Sequence, residues 1–215
     1  MKPLKSETQD SATLQELGRA SVQIVHDLKN QLNGLKLYAT FLRKRMEKSD
    51  RPADEQETVA KLIAGLERAA ADMTVLVRMG RPLELRRQPQ IDLTKILTGL
   101  ETDEDVKVEA GPEEIIGEFD VAAIAEALRT ITSSALGMRP QGNHTGLSIH
   151  LRPDEDGQRA IIEWRGVKTN NGGDPFHSFA GSEGLRLSLA AKIIEAHGGE
   201  TNHDESTLRA LLPLK

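Results

Sequence analysis

Residues 25–32 read Val-His-Asp-Leu-Lys-Asn-Gln-Leu and bring an imidazole, a carboxylate and a carboxamide within little more than one helical turn. His26 is the group able to react. A neutral imidazole attacks through the ring nitrogen that carries no proton, and Asp27 beside it can hold the other N–H, which fixes the tautomer. Asn30, one turn on, can reach a group attached to His26 or orient a water beside it. No metal chemistry is expected. The six histidines (26, 144, 150, 177, 197 and 203) contain no His-x-x-x-His pair, and there is no cysteine to supply a thiolate.

The element that must position these groups is a long amphipathic helix. From about Thr13 to Lys48 the residues Leu14, Leu17, Ile24, Leu28, Leu32, Leu35, Leu42 and Met46 recur at gaps of three and four or their sums. At roughly 100° per residue, His26 shares a polar face with Arg19, Gln23, Asn30 and Asn33, with Lys29 beside it, while Ile24 and Leu28 point the opposite way. The bland reading of that face is solvated surface. Pro52 ends simple continuation, and Asp54 with Glu57 three residues on predicts a capped restart. Val59, Leu62, Leu66, Ala69, Met73 and Leu76 then form a second stripe that stops at Gly80-Arg81-Pro82. Two helices joined by a short turn make an antiparallel hairpin with an uncovered apolar side. A second copy closing a four-helix bundle across a twofold axis is the expected solution, hence a homodimer.

After Pro82 the pattern changes. Ile91–Leu100 fits a short strand or helix, residues 105–109 alternate as a strand, and Asp120 caps a predicted helix running to Leu136. Strands follow at Leu147–Leu151 and Ala160–Trp164, separated by the turn Asp154-Glu155-Asp156-Gly157. A Gly/Asn-rich passage from Gly166 to Ser182 leads to a helix over Glu183–His197, ended by Gly198-Gly199, and a last strand covers residues 208–212. This order predicts an α+β fold: a helical hairpin over 1–82 followed by an α/β sandwich over 83–215.

The 215 residues are 38% hydrophobic, 28% charged and only 3% aromatic, an ordinary composition for a soluble chain. Residues 1–85 carry 14 Lys+Arg against 12 Asp+Glu, and the remainder 14 against 21, so the net charges are +2 and −7. A nucleic-acid partner would call for a concentrated basic surface instead. No apolar run approaches a membrane span, and the first ten residues lack a signal-peptide core, so a cytoplasmic protein without a membrane partner is expected.

The stretch at 25–32 resembles the phosphoacceptor box of two-component sensor histidine kinases, His-Asp/Glu-x-x-Asn/Thr-Pro-Leu. His26, Asp27, Asn30 and Leu32 match, and Gln31 stands in place of the proline. Gly184-Leu185-Arg186-Leu187 and the helix ending Glu195-Ala196-His197-Gly198-Gly199 resemble the family's last glycine box, GLGL, and the helix after it. Asp120, Ile124, Ile131 and Ala135 fit the family's asparagine-box helix, so the likeness runs from about residue 12 to 212.

The departures cluster in the nucleotide site that the resemblance implies. Thr130 and Ser134 stand where the family has two asparagines, one of them a magnesium ligand, and a hydroxyl is a weaker ligand than an amide oxygen. Arg165-Gly166-Val167-Lys168 replaces the box whose aspartate reads adenine, and Asp174 comes too late to serve. Arg186 replaces the second glycine beside Gly184, where backbone otherwise approaches phosphate. The resemblance therefore implies a dimeric histidine phosphotransferase without ATP. His26 would pass a phosphoryl group between receiver domains of response regulators, with a hybrid histidine kinase among the candidate partners. No cofactor is expected, because magnesium comes with the receiver. Asp27 would orient His26, Asn30 would be a polar contact, and Arg19, Val22, Gln23, Lys29 and Asn33 would form the docking surface. About ten residues precede the predicted first helix, so no sensor domain is expected. The alternatives are a scaffold that is never phosphorylated, a receiver phosphatase using Asn30, and a working autokinase. Arg43-Lys44-Arg45 reads as a basic helix end, Trp164 as core, residues 169–173 as a plain loop and His197-Gly198-Gly199 as a helix terminus.

Overall fold

The computed structural model describes residues 5–47, 52–101, 105–111, 114–140, 146–169 and 173–214, with side chains from residue 21 onward. Two compact units result, Met1–Pro82 and Leu83–Lys215. In the first, α1 (Lys5–Met46) and α2 (Ala53–Met79) form an antiparallel hairpin. The 42 residues of α1 make it about 63 Å long. It begins eight residues before the predicted Thr13. The run Lys5–Ala12 lacks an apolar period but also lacks any helix breaker, so propagation carries through it. Lys48 lies outside the described residues. Arg43, Lys44 and Arg45 fill the last turn of α1, where cations favour the carbonyl end of the dipole. The predicted cap at Asp54 is not formed. Pro52 takes the N-cap position without a side-chain bond, and Asp54 joins Glu55 in the first turn.

As the uncovered side read from the sequence requires, the hairpin seats only part of its apolar surface. Ala39 and Ile63 are buried at its seam, Val22, Val25, Leu32 and Met46 are half-buried, and Lys36 Nζ meets Glu67 Oε1 at 2.8 Å. Ile24, Leu28, Leu35 and Leu42 of the predicted stripe instead remain 42–59% exposed, joined by Leu62 on α2. An amphipathic helix with a wide apolar face can seat only part of it against one partner helix. Leu14 and Leu17 lie outside the described side chains.

The second unit is a sheet covered by helices. β1 (Gln88–Asp92) ends at Asp92, whose side chain caps α3 (Leu93–Thr98) by accepting from Thr94 N at 2.9 Å. The segment 91–100 is therefore strand and helix in turn. β2 (Val106–Ala110) precedes β3 (Ile116–Phe119), which pairs with β1 as a separate ribbon. Next come α4 (Val121–Gly137), β4 (Leu147–Pro153), β5 (Arg159–Arg165), a 3-10 turn at Pro175–His177, α5 (Gly181–Ala196), β6 (Glu200–His203) and β7 (Thr207–Pro213). The five-stranded sheet runs β2-β4-β5-β7-β6. Only the β2–β4 pair is parallel.

Alternation along the strands makes the core. Ile149, Leu151, Ala160, Ile162, Trp164, Leu208, Ala210 and Leu212 are buried on one face, against Ile124, Leu128, Ile131, Leu189 and Ile193 of the helices. Trp164, fully buried, donates its indole N–H to Thr132 Oγ1 at 2.9 Å, which ties β5 to α4. The opposite face carries a polar row across all five strands in register: Glu109, His150, Glu163, Arg209 and Asn202. Within it Glu163 is almost wholly buried and accepts from Arg165 and from Arg209. Burial alone would raise its carboxyl, but those guanidiniums together hold it below the usual glutamate range.

Candidate functional site

His26 sits mid-helix on α1 with its side chain half exposed, so a partner can reach the ring without any rearrangement. Its contacts all fall on one nitrogen. Asn30 Nδ2 lies 3.4 Å from Nδ1, and Asp27 Oδ1 lies 3.6 Å from the same atom. The second distance is too long for a hydrogen bond, so Asp27 acts on the ring as a neighbouring charge. Its Oδ1 instead accepts from Gln23 Nε2 at 3.0 Å. Nε2 is left as the nitrogen open to an electrophile among the described contacts.

The other residues named from the sequence separate into two groups. Gln23, Asn30 and Asn33 are exposed on the His26 side of α1, as the helical turn dictates. Val22 and Lys29 are half-buried. Val22 packs so closely on Gly80 that a Cβ there would run into its Cγ2. Arg19 falls in α1, but its side chain lies outside those described. The sequence did not single out Leu37 and Phe41, which are 54% and 59% exposed. They follow His26 by about three and about four turns, which aligns them on its side of the helix. Their spacing from His26 was the available signal.

In the second unit a cavity of about 420 Å³ opens between α4 and α5. Arg129, Thr130, Ser133, Ser134, Ser182 and Arg186 line it, with Glu183 as its one acid. Thr130, Ser134 and Arg186 thus meet at one hollow. Gly184 answers to packing instead: a Cβ there would lie 2.7 Å from Ser178 O, and Ser188 Oγ donates to that same carbonyl at 3.0 Å. Asp174 caps the 3-10 turn, accepting from Phe176 N at 2.9 Å and meeting His177 Nδ1 at 2.7 Å. The segment after β5 is occupied with backbone pairing, Gly166 N and Val167 N both donating to Ser206 O. No group of three or more metal-ligating side chains occurs among the described residues. Residues 170–172 of the expected loop, and His144, lie outside the description.

His197 is more than a helix terminus. It is 1% exposed, its Nδ1 pairs with Ile193 O at 2.8 Å, and its Nε2 accepts from Asp120 N at 3.1 Å. The ring is therefore the neutral Nδ1–H tautomer, and burial holds its pKa below the ordinary histidine value. Asp120 in turn accepts from Arg86 N at 2.8 Å and Ala123 N at 3.0 Å, which keep its carboxyl below the usual aspartate range. This knot fixes the start of α4 to the end of α5, the two helices that flank the cavity.

No protein-family model matches the chain, and no curated protein sequence matches it. Solved structures do. Full-length ShkA, in complex with AMPPNP, superposes over 89% of this chain at 15% identity with a TM-score of 0.64. This chain covers only 44% of ShkA. The Acinetobacter baumannii histidine kinase AdeS superposes over 88% of this chain and 98% of its own, at 16% identity and a TM-score of 0.56. No helix of the described residues is long and apolar enough to cross a membrane. A helical hairpin followed by an α/β sheet unit, shared in order with these structures, gives the chain a histidine-kinase-like fold.

Proposed function

We propose that the chain is a histidine phosphotransferase of a two-component phosphorelay, carrying a phosphoryl group on His26 between receiver domains. The observation that carries this reading is the His26 ring: half exposed, flanked by Asp27 and Asn30 through Nδ1, with Nε2 unengaged among the described contacts. In the Nδ1–H tautomer the Nε2 lone pair attacks the phosphorus of a receiver's aspartyl phosphate in line. The N–P bond forms as the acyl P–O bond breaks, and the donor aspartate leaves as carboxylate. Asp27 stabilises the positive charge that the ring acquires, and Asn30 turns its amide oxygen toward Nδ1–H. A second receiver's aspartate then attacks the same phosphorus and releases the neutral imidazole. Positioning and charge stabilisation carry such a transfer. The receiver brings its own magnesium, so this chain supplies no cofactor.

The receiver docks on the face of His26, Gln23 and Asn33, with Arg19, Lys29 and Val22 at its edge. The exposed Leu37 and Phe41 extend that face with apolar area. The Ile24-Leu28-Leu35-Leu42 stripe, on the opposite side, is covered by a second copy. Thr130, Ser134 and Arg186 in place of carboxamides and glycine argue against a magnesium–nucleotide donor site in the second unit. Incubation with a phosphorylated receiver tests the reading: label reaches His26 and is absent in His26→Ala. Receiver-dependent function that survives His26→Ala would make the chain a scaffold. Asn30 beside the ring also suits a receiver phosphatase, for which Asn30→Ala would abolish phosphate release while sparing transfer. ATP-dependent labelling of the isolated protein would make it an autokinase.

A further inference from the structure

The polar row on the open face of the five-stranded sheet contains an ordered set of contacts that ion pairing alone does not require. His150 stands between Ser148, two residues before it on β4, and Glu109, its register partner on β2. Its Nδ1 lies 3.2 Å from Glu109 Oε2, and its Nε2 lies 3.3 Å from Ser148 Oγ. A carboxylate only accepts, so the nitrogen facing Glu109 carries the ring proton. In the neutral ring Nε2 is then bare, and the Ser148 hydroxyl donates to it. Glu109 is held ionised from its other oxygen: the Lys107 ammonium, 3.1 Å from Oε1, keeps the carboxyl below the usual glutamate range. Nucleophile, base and orienting acid thus follow one another in the order that activates a hydroxyl.

The three side chains rise from two adjacent strands paired in register, so the backbone ladder fixes their spacing. Ser148 is also flanked in register by two cations, Lys107 on β2 and Arg165 on β5. Each is anchored in the next row, Lys107 on Glu109 and Arg165 on Glu163, which holds both at this face. Neighbouring strands lie about 4.8 Å apart, so both long side chains reach charge that develops at Ser148. We propose that Ser148, His150 and Glu109 form a serine-nucleophile site that cleaves short, activated acyl esters. Ser148 Oγ attacks the acyl carbon as its proton passes to His150 Nε2. The tetrahedral adduct collapses, the bond to the leaving oxygen breaks, and the leaving group departs as an anion beside Lys107 and Arg165. His150 releases that proton to solvent and takes another from a water, whose oxygen attacks the acyl-serine. The bond between the acyl carbon and Ser148 Oγ breaks, Oγ recovers its proton from His150, and the carboxylic acid leaves. An open sheet face suits a short acyl group and a leaving group that needs no protonation.

The test uses the full chain with two probes, 4-nitrophenyl acetate for turnover and diisopropyl fluorophosphate for trapping. With the second, Ser148 Oγ forms a bond to phosphorus as the P–F bond breaks and fluoride leaves. The expected results are a saturable rate of nitrophenolate release and an adduct that peptide mapping places on Ser148. Mapping separates this adduct from any reaction of the exposed His26 ring. Ser148→Ala should lose both signals, and His150→Gln should slow both at least about a hundredfold, the usual worth of a general base. Glu109→Gln keeps an acceptor but removes the charge. It should lower kcat about tenfold and leave KM unchanged, since a half-exposed carboxylate is partly screened. 4-Nitrophenyl decanoate should react no faster than the acetate. The adduct on the wild-type chain needs no substitution, so that part of the test is independent of any loss of fold. Five results would overturn the proposal: no adduct on Ser148, a saturable rate that persists in Ser148→Ala, indifference to His150→Gln, indifference to Glu109→Gln, or a preference for the decanoate. None of these readouts involves phosphate on His26, so the site stands or fails apart from the phosphotransfer reading.

Discussion

Placing an aspartate at Leu35 should separate the proposed dimer. Leu35 is 53% exposed, in one stripe with Ile24 at 59%, Leu28 at 42% and Leu42 at 53%. Fully burying a leucine is worth about 1.5–3 kcal/mol, so covering the exposed half contributes roughly 1 kcal/mol on each copy. Across a twofold axis every substitution occurs twice, so Leu35→Ala should cost about 2 kcal/mol of association, roughly thirtyfold in Kd. Leu35→Asp adds the desolvation of a carboxylate on both copies, several kcal/mol for each ion, and should raise Kd more than about a thousandfold. Sedimentation velocity over a dilution series reads the species directly. The wild type should sediment as two chains, Leu35→Ala should dissociate within the series, and Leu35→Asp should be a single chain. A wild-type monomer at the highest concentration, or a Leu35→Asp dimer, would refute the assignment of this stripe to a second copy.

Three further predictions concern the second unit. His197 is neutral and buried, with its pKa held below the unfolded value of about 6.5, so the unfolded chain takes up the proton first as pH falls. Stability should therefore be intact above about pH 6.5 and erode below it by up to about 1.4 kcal/mol per pH unit for one proton, until the folded value is passed. His177, raised by Asp174, works in the opposite sense, its stabilisation lost as pH rises through its folded value; being 60% exposed, it weighs less. Urea melts at pH 7.5 and 5.5 should show that His197→Gln flattens the acid loss, and an unchanged slope would contradict the neutral assignment. Thr132→Val leaves the Trp164 indole N–H buried and unpaired, which should cost about 1–3 kcal/mol in a melt followed by the fluorescence of that single tryptophan. Gly184→Ala forces a Cβ against Ser178 O and should destabilise by about 1–3 kcal/mol, with differential scanning calorimetry as the check.

Long-range periodicity carried most of the fold, and short polar elements escaped it. The 3.6-residue spacing exposed both hairpin helices, and Asp154–Gly157 marked the β4–β5 turn, where Gly157 indeed takes a positive φ of 63°. β3, four residues of Ile-Gly-Glu-Phe, and β6, Glu-Thr-Asn-His at a sheet edge, carry too little alternating hydrophobicity to be read without their partners. Ile24, Leu28, Leu35 and Leu42 were visible as a stripe. That the hairpin seats Leu32 of the predicted pattern together with Val22, Val25 and Ala39, and leaves those four exposed, depends on the rotation of α1 against α2, which one helix's sequence does not encode. The outward face of His26 followed from turn geometry alone. The His197–Asp120 knot did not, because its partners are 77 residues apart and one of them is a backbone N–H.

The most direct measurement is transfer itself. Mixed with a receiver carrying isotopically labelled aspartyl phosphate and magnesium, without ATP, the protein should acquire an acid-labile, base-stable label. Peptide mapping should place that label on His26, and a second receiver should remove it. Label that never appears on the protein with any receiver offered, or that persists in His26→Ala, would contradict the account.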